Sequence, residues 1–163
     1  MDNQILVKEL YSLICHSEME KVQDILEGAP TLLEVKTPIG SWLHVAARHG
    51  DINIVKYLVE SGLDINASGG TSGSKPINFA ASEGHIDVVK FFLDNGAILD
   101  VGEPEKNPLF SAVHKGHLEI AKLLVSNGID ITVDYGSKNA ISFADECGQL
   151  EIASFLKGCL KNE

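Results

Sequence analysis

The stretch SWLHVAARHG (Ser41–Gly50) decides the fold, because related stretches follow it along the chain. These are KPINFAASEG (75–84), NPLFSAVHKG (107–116) and NAISFADECG (139–148). Their final glycines, Gly50, Gly84, Gly116 and Gly148, stand 34, 32 and 32 residues apart. A recurrence of about 33 residues indicates an array of repeated structural units rather than one globular core.

An amphipathic segment follows each of these stretches. DINIVKYLVESG (51–62), HIDVVKFFLDNG (85–96) and HLEIAKLLVSNG (117–128) place apolar residues at helical spacing, and QLEIASFLKGC (149–159) is a shorter copy. Proline suits the first position of a helix, as at Pro76 and Pro108, and glycine suits the left-handed turn that ends one. Each unit is therefore predicted to contain a short helix, a tight turn, a longer helix and an irregular connector.

Composition narrows the classes of function. A chain of 163 residues with a net charge of -10 is predicted to be one domain that does not bind nucleic acid, since phosphate contacts need a basic face. No apolar run approaches the ~18 residues of a membrane-spanning helix. The start, MDNQILVKEL, lacks the features of a signal peptide. Three cysteines, Cys15, Cys147 and Cys159, do not build a disulfide framework, so we expect a soluble, cytoplasmic protein without a membrane partner.

The recurring segments resemble ankyrin repeats, whose signature includes Thr-Pro-Leu-His-x-Ala. Leu43-His44-Val45-Ala46-Ala47 keeps the Leu-His-x-Ala-Ala part, and Gly84-His85 and Gly116-His117 match the family's Gly-His turn. Gly62-Leu63-Asp64-Ile65-Asn66 is similar to its Gly-Ala-Asp-Val-Asn ending.

The resemblance implies an all-α solenoid of stacked helix-turn-helix units with hairpin-like finger loops. It implies a single domain with internal repeats at 37–68, 69–100 and 101–133. Residues 1–36, with helices at Leu6–Cys15 and Glu20–Leu26, resemble a degenerate N-terminal capping repeat, and 134–163 a shortened C-terminal one. The acidic connector Val101–Glu105 contains Pro104, so its finger is not expected to be a regular hairpin.

Three patterns that suggest chemistry have simpler explanations. The Gly/Ser-rich stretch 68–75 does not fit the phosphate-loop pattern and is interpreted as a lengthened finger. The histidines lack zinc spacing, and His85 and His117 are expected to be structural. Cys147 follows Asp145 and Glu146, whereas a reactive cysteine needs a basic neighbourhood. We therefore predict no enzyme activity, no metal and no cofactor.

The residues that a repeat scaffold does not need are the candidates for binding. By position in the family pattern they are the finger tips and the two residues before each glycine of the first helices, on the face that the resemblance implies is concave. Trp42, Arg48 and Tyr135 come first, since Trp, Tyr and Arg are enriched in binding hot spots. For Trp42 the alternative is packing against the first repeat. The partner-binding candidates are Trp42, Arg48, His49, Glu83, Glu103, Lys106, His114, Lys115, Tyr135, Lys138 and Glu146.

The resulting hypothesis is a monomeric, non-catalytic module that binds a folded protein through the concave face and finger tips. A narrower version is an acidic inhibitor that masks a basic enzyme or toxin surface, as immunity proteins do, because the net charge of -10 would steer it towards such a surface. An adaptor without inhibitory action is a second version, and an enzyme using Cys147 is the least favoured class.

Overall fold

The structure is a computed structural model that describes residues 3–161. In this part of the chain ten α-helices form five consecutive pairs, and two short 3₁₀ helices, Pro30–Glu34 and Pro104–Lys106, lie in connectors. Residues 1, 2, 162 and 163 of the predicted capping repeats lie outside the described residues. The pairs are α1 (Asn3–Cys15) with α2 (Met19–Gly28), α3 (Trp42–His49) with α4 (Ile52–Glu60), α5 (Pro76–Glu83) with α6 (Ile86–Asp94), α7 (Pro108–Lys115) with α8 (Leu118–Ser126), and α9 (Ala140–Glu146) with α10 (Leu150–Cys159).

The pairs stack in a single row. The odd-numbered helices contact one another in chain order and form an inner row, and the even-numbered helices form an outer row behind them. Ala46, Ala80, Ala112 and Ala144 are buried in the inner helices, where a small side chain lets neighbouring backbones approach closely. Ile54, Val88 and Ile120 fill the outer layer. The predicted all-α solenoid of stacked helix-turn-helix units is thus confirmed.

The inner helices begin and end at the residues that the sequence marks. Asn107 caps α7, because its side-chain oxygen accepts a hydrogen bond from the backbone of Leu109 at 2.9 Å. Pro108 then occupies the first helical position. Gly50 ends α3 with a φ of 84°, a left-handed conformation that strongly favours glycine.

Four connectors lead from an outer helix to the next inner helix: residues 35–41, 61–75, 95–107 and 127–139. We call these connectors the fingers. The first two contain a short antiparallel bridge, Thr37 with Gly40 and Gly69 with Ser74. The Gly/Ser-rich stretch therefore lies in a finger, as interpreted, and the bridge between Gly69 and Ser74 closes this part of the finger into a turn. The third finger contains the 3₁₀ helix at Pro104 in place of a hairpin, as the acidic, proline-broken connector predicts.

Candidate functional site

The fingers lie beside the inner helices and form one surface with them. A cleft of about 270 Å³ between them is lined by Ser72, Ser74 and Glu105 from two fingers and by Phe79, Ser82 and Ser111 from α5 and α7. We call this surface the inner face: the exposed residues of the inner helices together with the fingers.

Most of the predicted binding residues lie on the inner face. Those in the last turns of the inner helices are exposed: Arg48, His49, Glu83, His114, Lys115 and Glu146. Of the finger residues, Glu103 is exposed, and Lys106, Tyr135 and Lys138 are half-buried. Repeats place chemically different side chains at equivalent positions, so the surface differs from one unit to the next while its backbone does not.

Trp42 does not belong to this exposed set, and its prediction as a surface contact is wrong for the free chain. Its side chain is 0% exposed, and its indole nitrogen donates a hydrogen bond to the carbonyl of Leu32 at 2.7 Å. The residue starts α3 where Pro76 and Pro108 start α5 and α7, and its ring packs against the first repeat. Packing, the alternative that the sequence left open, is what the structure shows.

Tyr135 is held by other parts of the protein. Its hydroxyl donates to the carbonyl of Val101 at 2.7 Å and accepts a hydrogen bond from the side-chain nitrogen of Asn107 at 3.1 Å. Its ring meets Phe110 edge to face, with centroids 5.2 Å apart. The hydroxyl therefore fixes the last finger to the preceding repeat, and only the half-buried ring is left for a partner.

Phe143 forms an aromatic platform beside this finger. Its ring stacks on Phe110 with centroids 4.8 Å apart, and His114 lies parallel to it at 6.3 Å. The Lys138 ammonium lies 5.6 Å from the Phe143 centroid and pairs with Glu146 at 2.7 Å. The sequence analysis did not select Phe110 or Phe143. The sequence contained a signal for both, since Phe110 precedes the exposed His114, and Phe143 the exposed Glu146, by about one helical turn.

Two of the candidate cations already have carboxylate partners. Lys138 pairs with Glu146, and Lys106 pairs with Glu103 at 2.8 Å, which raises the pKa of the Lys106 ammonium. Exposed pairs of this kind contribute little to stability, so a partner can replace them at small cost. Arg48 and Lys115 form no ion pair in the described part of the chain, where the ion pairs involve seven lysines: Lys21, Lys75, Lys90, Lys106, Lys122, Lys138 and Lys157.

His49 makes a contact that the sequence analysis missed. Its Nε2 lies 3.1 Å from the Sγ of Cys15 on α1. Burial lowers the pKa of His49, and the nearby Arg48 lowers it further, while burial raises the pKa of the Cys15 thiol. The two groups therefore meet as neutral thiol and imidazole, unlike an activated cysteine nucleophile, which needs a lowered pKa. The sequence signal for this contact was that Cys15 and His49 are 34 residues apart, which is about the length of one repeat.

Histidines at the Gly-His turns hold the backbone of the inner face. The Nε2 of His85 donates to the carbonyl of Arg48 at 2.9 Å, and that of His117 donates to the carbonyl of Ser82 at 3.0 Å. The structural role predicted for both is confirmed. Each bond ties one repeat to the last turn of the preceding inner helix, so the exposed side chains start from a fixed backbone.

Within residues 3–161, no group of three or more His, Cys, Asp or Glu side chains is arranged to hold a metal ion. In the same range, no helix has the length and apolar character needed to cross a membrane.

Comparison with known proteins gives the family. The family model "Ankyrin repeats (3 copies)" matches residues 6–103, 43–135 and 99–163. Palmitoyltransferase AKR1 of Lachancea kluyveri is 28% identical over 93 residues, which are 53% of this chain and 12% of that protein. NF-kappa-B inhibitor cactus of Drosophila melanogaster is 34% identical over 91 residues, 54% of this chain and 18% of cactus. A putative ankyrin repeat protein of Rickettsia felis is 33% identical over 73 residues, 45% of this chain and 30% of that protein.

The chain thus spans less than a third of the length of each of these relatives. The likeness to the palmitoyltransferase covers only 12% of that protein and brings no transferase activity to this chain. The three matches of the family model together run from residue 6 to residue 163. The chain belongs to the ankyrin repeat family.

Proposed function

We propose that this chain is a non-catalytic module that binds another protein through its inner face. The observation that carries the proposal is the placement of Arg48, Glu83, His114 and Glu146. They occupy one equivalent end of four successive inner helices, all exposed, on a scaffold whose repeats are tied to each other by His85 and His117. A rigid array loses little conformational entropy when it binds, so such a surface is suited to recognition.

Family membership supports the proposal, since ankyrin repeats are protein-interaction modules. Cactus is by name an inhibitor of NF-kappa-B, another protein. The partner of this chain is proposed to be a folded protein of its own cell, and the chain to act in the cytoplasm as a monomer without nucleic acid or membrane contacts. The three cysteines are free thiols in the structure, as a reducing compartment would leave them.

The test begins with affinity capture from the native extract and identification of the partner by mass spectrometry. Arg48, His114 and Lys115 are then replaced by alanine, singly and together. We expect the triple variant to bind the partner at least about tenfold more weakly, since removing hot-spot side chains commonly costs 1 kcal/mol or more each. Helicity by circular dichroism should stay unchanged.

Matched controls are Lys56→Ala, Lys90→Ala and Lys122→Ala, which remove exposed cations from the outer helices α4, α6 and α8. They should bind as the parent does. Equal binding by the triple variant and the parent would show that the inner face is not the contact surface.

A second candidate is an inhibitor that masks a basic surface, favoured by the net charge of -10. In that case added salt should slow association steeply, because long-range attraction is screened. The activity of the captured partner should fall when this chain is added. A salt-independent association rate together with undiminished activity would favour an adaptor.

Catalysis by Cys147 is the least favoured alternative. We expect intact-mass analysis of the protein from its native source to show no cofactor and no covalent adduct. An adduct mapped to Cys147 would revive the enzyme hypothesis.

A further inference from the structure

Two adjoining clefts run along α1 at the amino-terminal end of the inner face. The larger, of about 440 Å³, lies between Val7, Lys8 and Tyr11 of α1 and Lys36 and Pro38 of the first finger, with Trp42 in its lining. The smaller, of about 250 Å³, shares Val7 and Lys8 and adds Val35. We call the two together the N-terminal cleft.

The charge of the N-terminal cleft is opposite to that of the chain. Its charged lining residues are Lys8 and Lys36, and no Asp or Glu among residues 3–161 lines either part. Arg48 lies further along the same face. None of these three cations has a carboxylate within 4.0 Å among the described residues, whereas the structure pairs seven other lysines. Glu9 and Glu34 are close in sequence to Lys8 and Lys36, respectively, but they line neither cleft.

The remainder of the N-terminal cleft is largely apolar or aromatic. Val7, Val35 and Pro38 supply aliphatic surface, and the Tyr11 side chain remains 38% exposed, unlike the buried Trp42 beside it. An apolar cleft with two unpaired ammonium groups suits a ligand that combines apolar side chains with carboxylates. A basic segment would meet like charges there, and a purely apolar one would leave the ammonium groups without partners.

We propose that the N-terminal cleft binds an acidic, partly apolar peptide segment of the partner protein. The carboxylates lie near Lys8 and Lys36, and an apolar side chain lies between Tyr11 and Pro38. The lining of α1 extends from Asn3 to Tyr11, roughly 12 Å at 1.5 Å per residue, which is the length of about four residues of extended peptide. The proposal rests on the proposed function and adds the chemistry of the segment that one end of the inner face selects.

The test uses an array of short random peptides, probed with the parent chain and with Lys8→Glu/Lys36→Glu. The matched control is Lys56→Glu/Lys161→Glu, which makes the same change in charge at exposed lysines that line neither cleft and have no ion-pair partner within the described part of the chain. Peptides bound by the parent and the control should be enriched in Asp and Glu next to apolar residues. The cleft variant should bind those peptides at least about tenfold more weakly, and salt should weaken parent binding.

Three results would overturn the proposal: no acidic enrichment, equal binding by the cleft variant, or no bound peptide at all. Vesicles containing phosphatidylserine are a separate arm, and binding to them without binding to acidic peptides would also overturn it. If the captured partner requires Arg48, His114 and Lys115 but binds the cleft variant normally, the cleft proposal fails while the proposed function stands.

Discussion

The fourth residue of the recurring inner segment differs among repeats: His44, Asn78, Phe110 and Ser142. His44 joins two repeats, because its Nδ1 accepts a hydrogen bond from the backbone of Ser41 at 3.0 Å and its Nε2 lies 3.2 Å from the carbonyl of Ser74 in the next finger. The shorter Asn78 keeps the local bond, from the backbone of Lys75 at 3.2 Å. Its buried Nδ2 has no partner among the described residues.

Asn78→His is therefore expected to stabilise the protein by about 1 kcal/mol, because a longer donor can reach the next finger and an orphaned buried donor is removed. The reciprocal change His44→Asn should lower stability by a similar amount. Urea unfolding of both variants checks this, with the parent measured alongside. A destabilised Asn78→His variant would show that the next finger offers no acceptor at that place.

His44 also makes stability depend on pH. Burial is the main cause that lowers its pKa below the ordinary value of 6.5, so the folded protein keeps the ring neutral while the unfolded chain accepts a proton. Its contribution is complete above pH 6.5 and declines as the pH falls towards the lowered pKa. Unfolding free energies across this range should fall less steeply for His44→Asn than for the parent. Parallel curves would contradict the assignment.

At the scale of elements, the glycines that follow helices differ in whether they also contact the next repeat. Gly50 ends α3 in the left-handed conformation, and a Cβ there would collide with the imidazole of His85 from the next repeat. Gly62 has a φ of 94° and nothing within 4 Å of the position of an added Cβ. The two glycines therefore share the backbone requirement and differ in the contact between repeats.

Gly50→Ala should cost more stability than Gly62→Ala, and the pair forms a matched comparison. Gly62→Ala bears only the left-handed cost of about 1–2 kcal/mol. Gly50→Ala bears the same cost and at least about 1 kcal/mol more, because it displaces the hydrogen bond from His85 to Arg48. Denaturant unfolding with unchanged m-values gives the difference. Equal losses would mean that the His85 contact contributes nothing to the stack.

The elements themselves were largely predictable from the sequence, because proline, asparagine and glycine mark helix ends through local geometry. The extra length of α1 at its amino end and the 3₁₀ turn after α2 were not predicted, since the first repeat departs from the pattern. For the same reason the sequence left two roles open for Trp42, partner contact and packing, because what covers its ring is the atypical first repeat. The Cys15–His49 contact joins two repeats, and local patterns do not show it.

At the scale of the whole molecule, the recurrence of one segment in register predicted the stack and the side on which the exposed candidates lie. Net charge alone did not predict the distribution of charge. Lys8, Lys36 and Arg48 are far apart in sequence, yet they fall on one end of the inner face because α1, the first finger and α3 are adjacent. Only the packed arrangement shows that an acidic chain offers a basic cleft.

Amide hydrogen exchange of the chain, alone and in complex with its captured partner, tests the central claim most directly. The account predicts slower exchange in the complex at the last turns of α3, α5, α7 and α9 and in the fingers, with little change along α4, α6, α8 and α10. Protection concentrated on those outer helices, with the inner face unchanged, would contradict it.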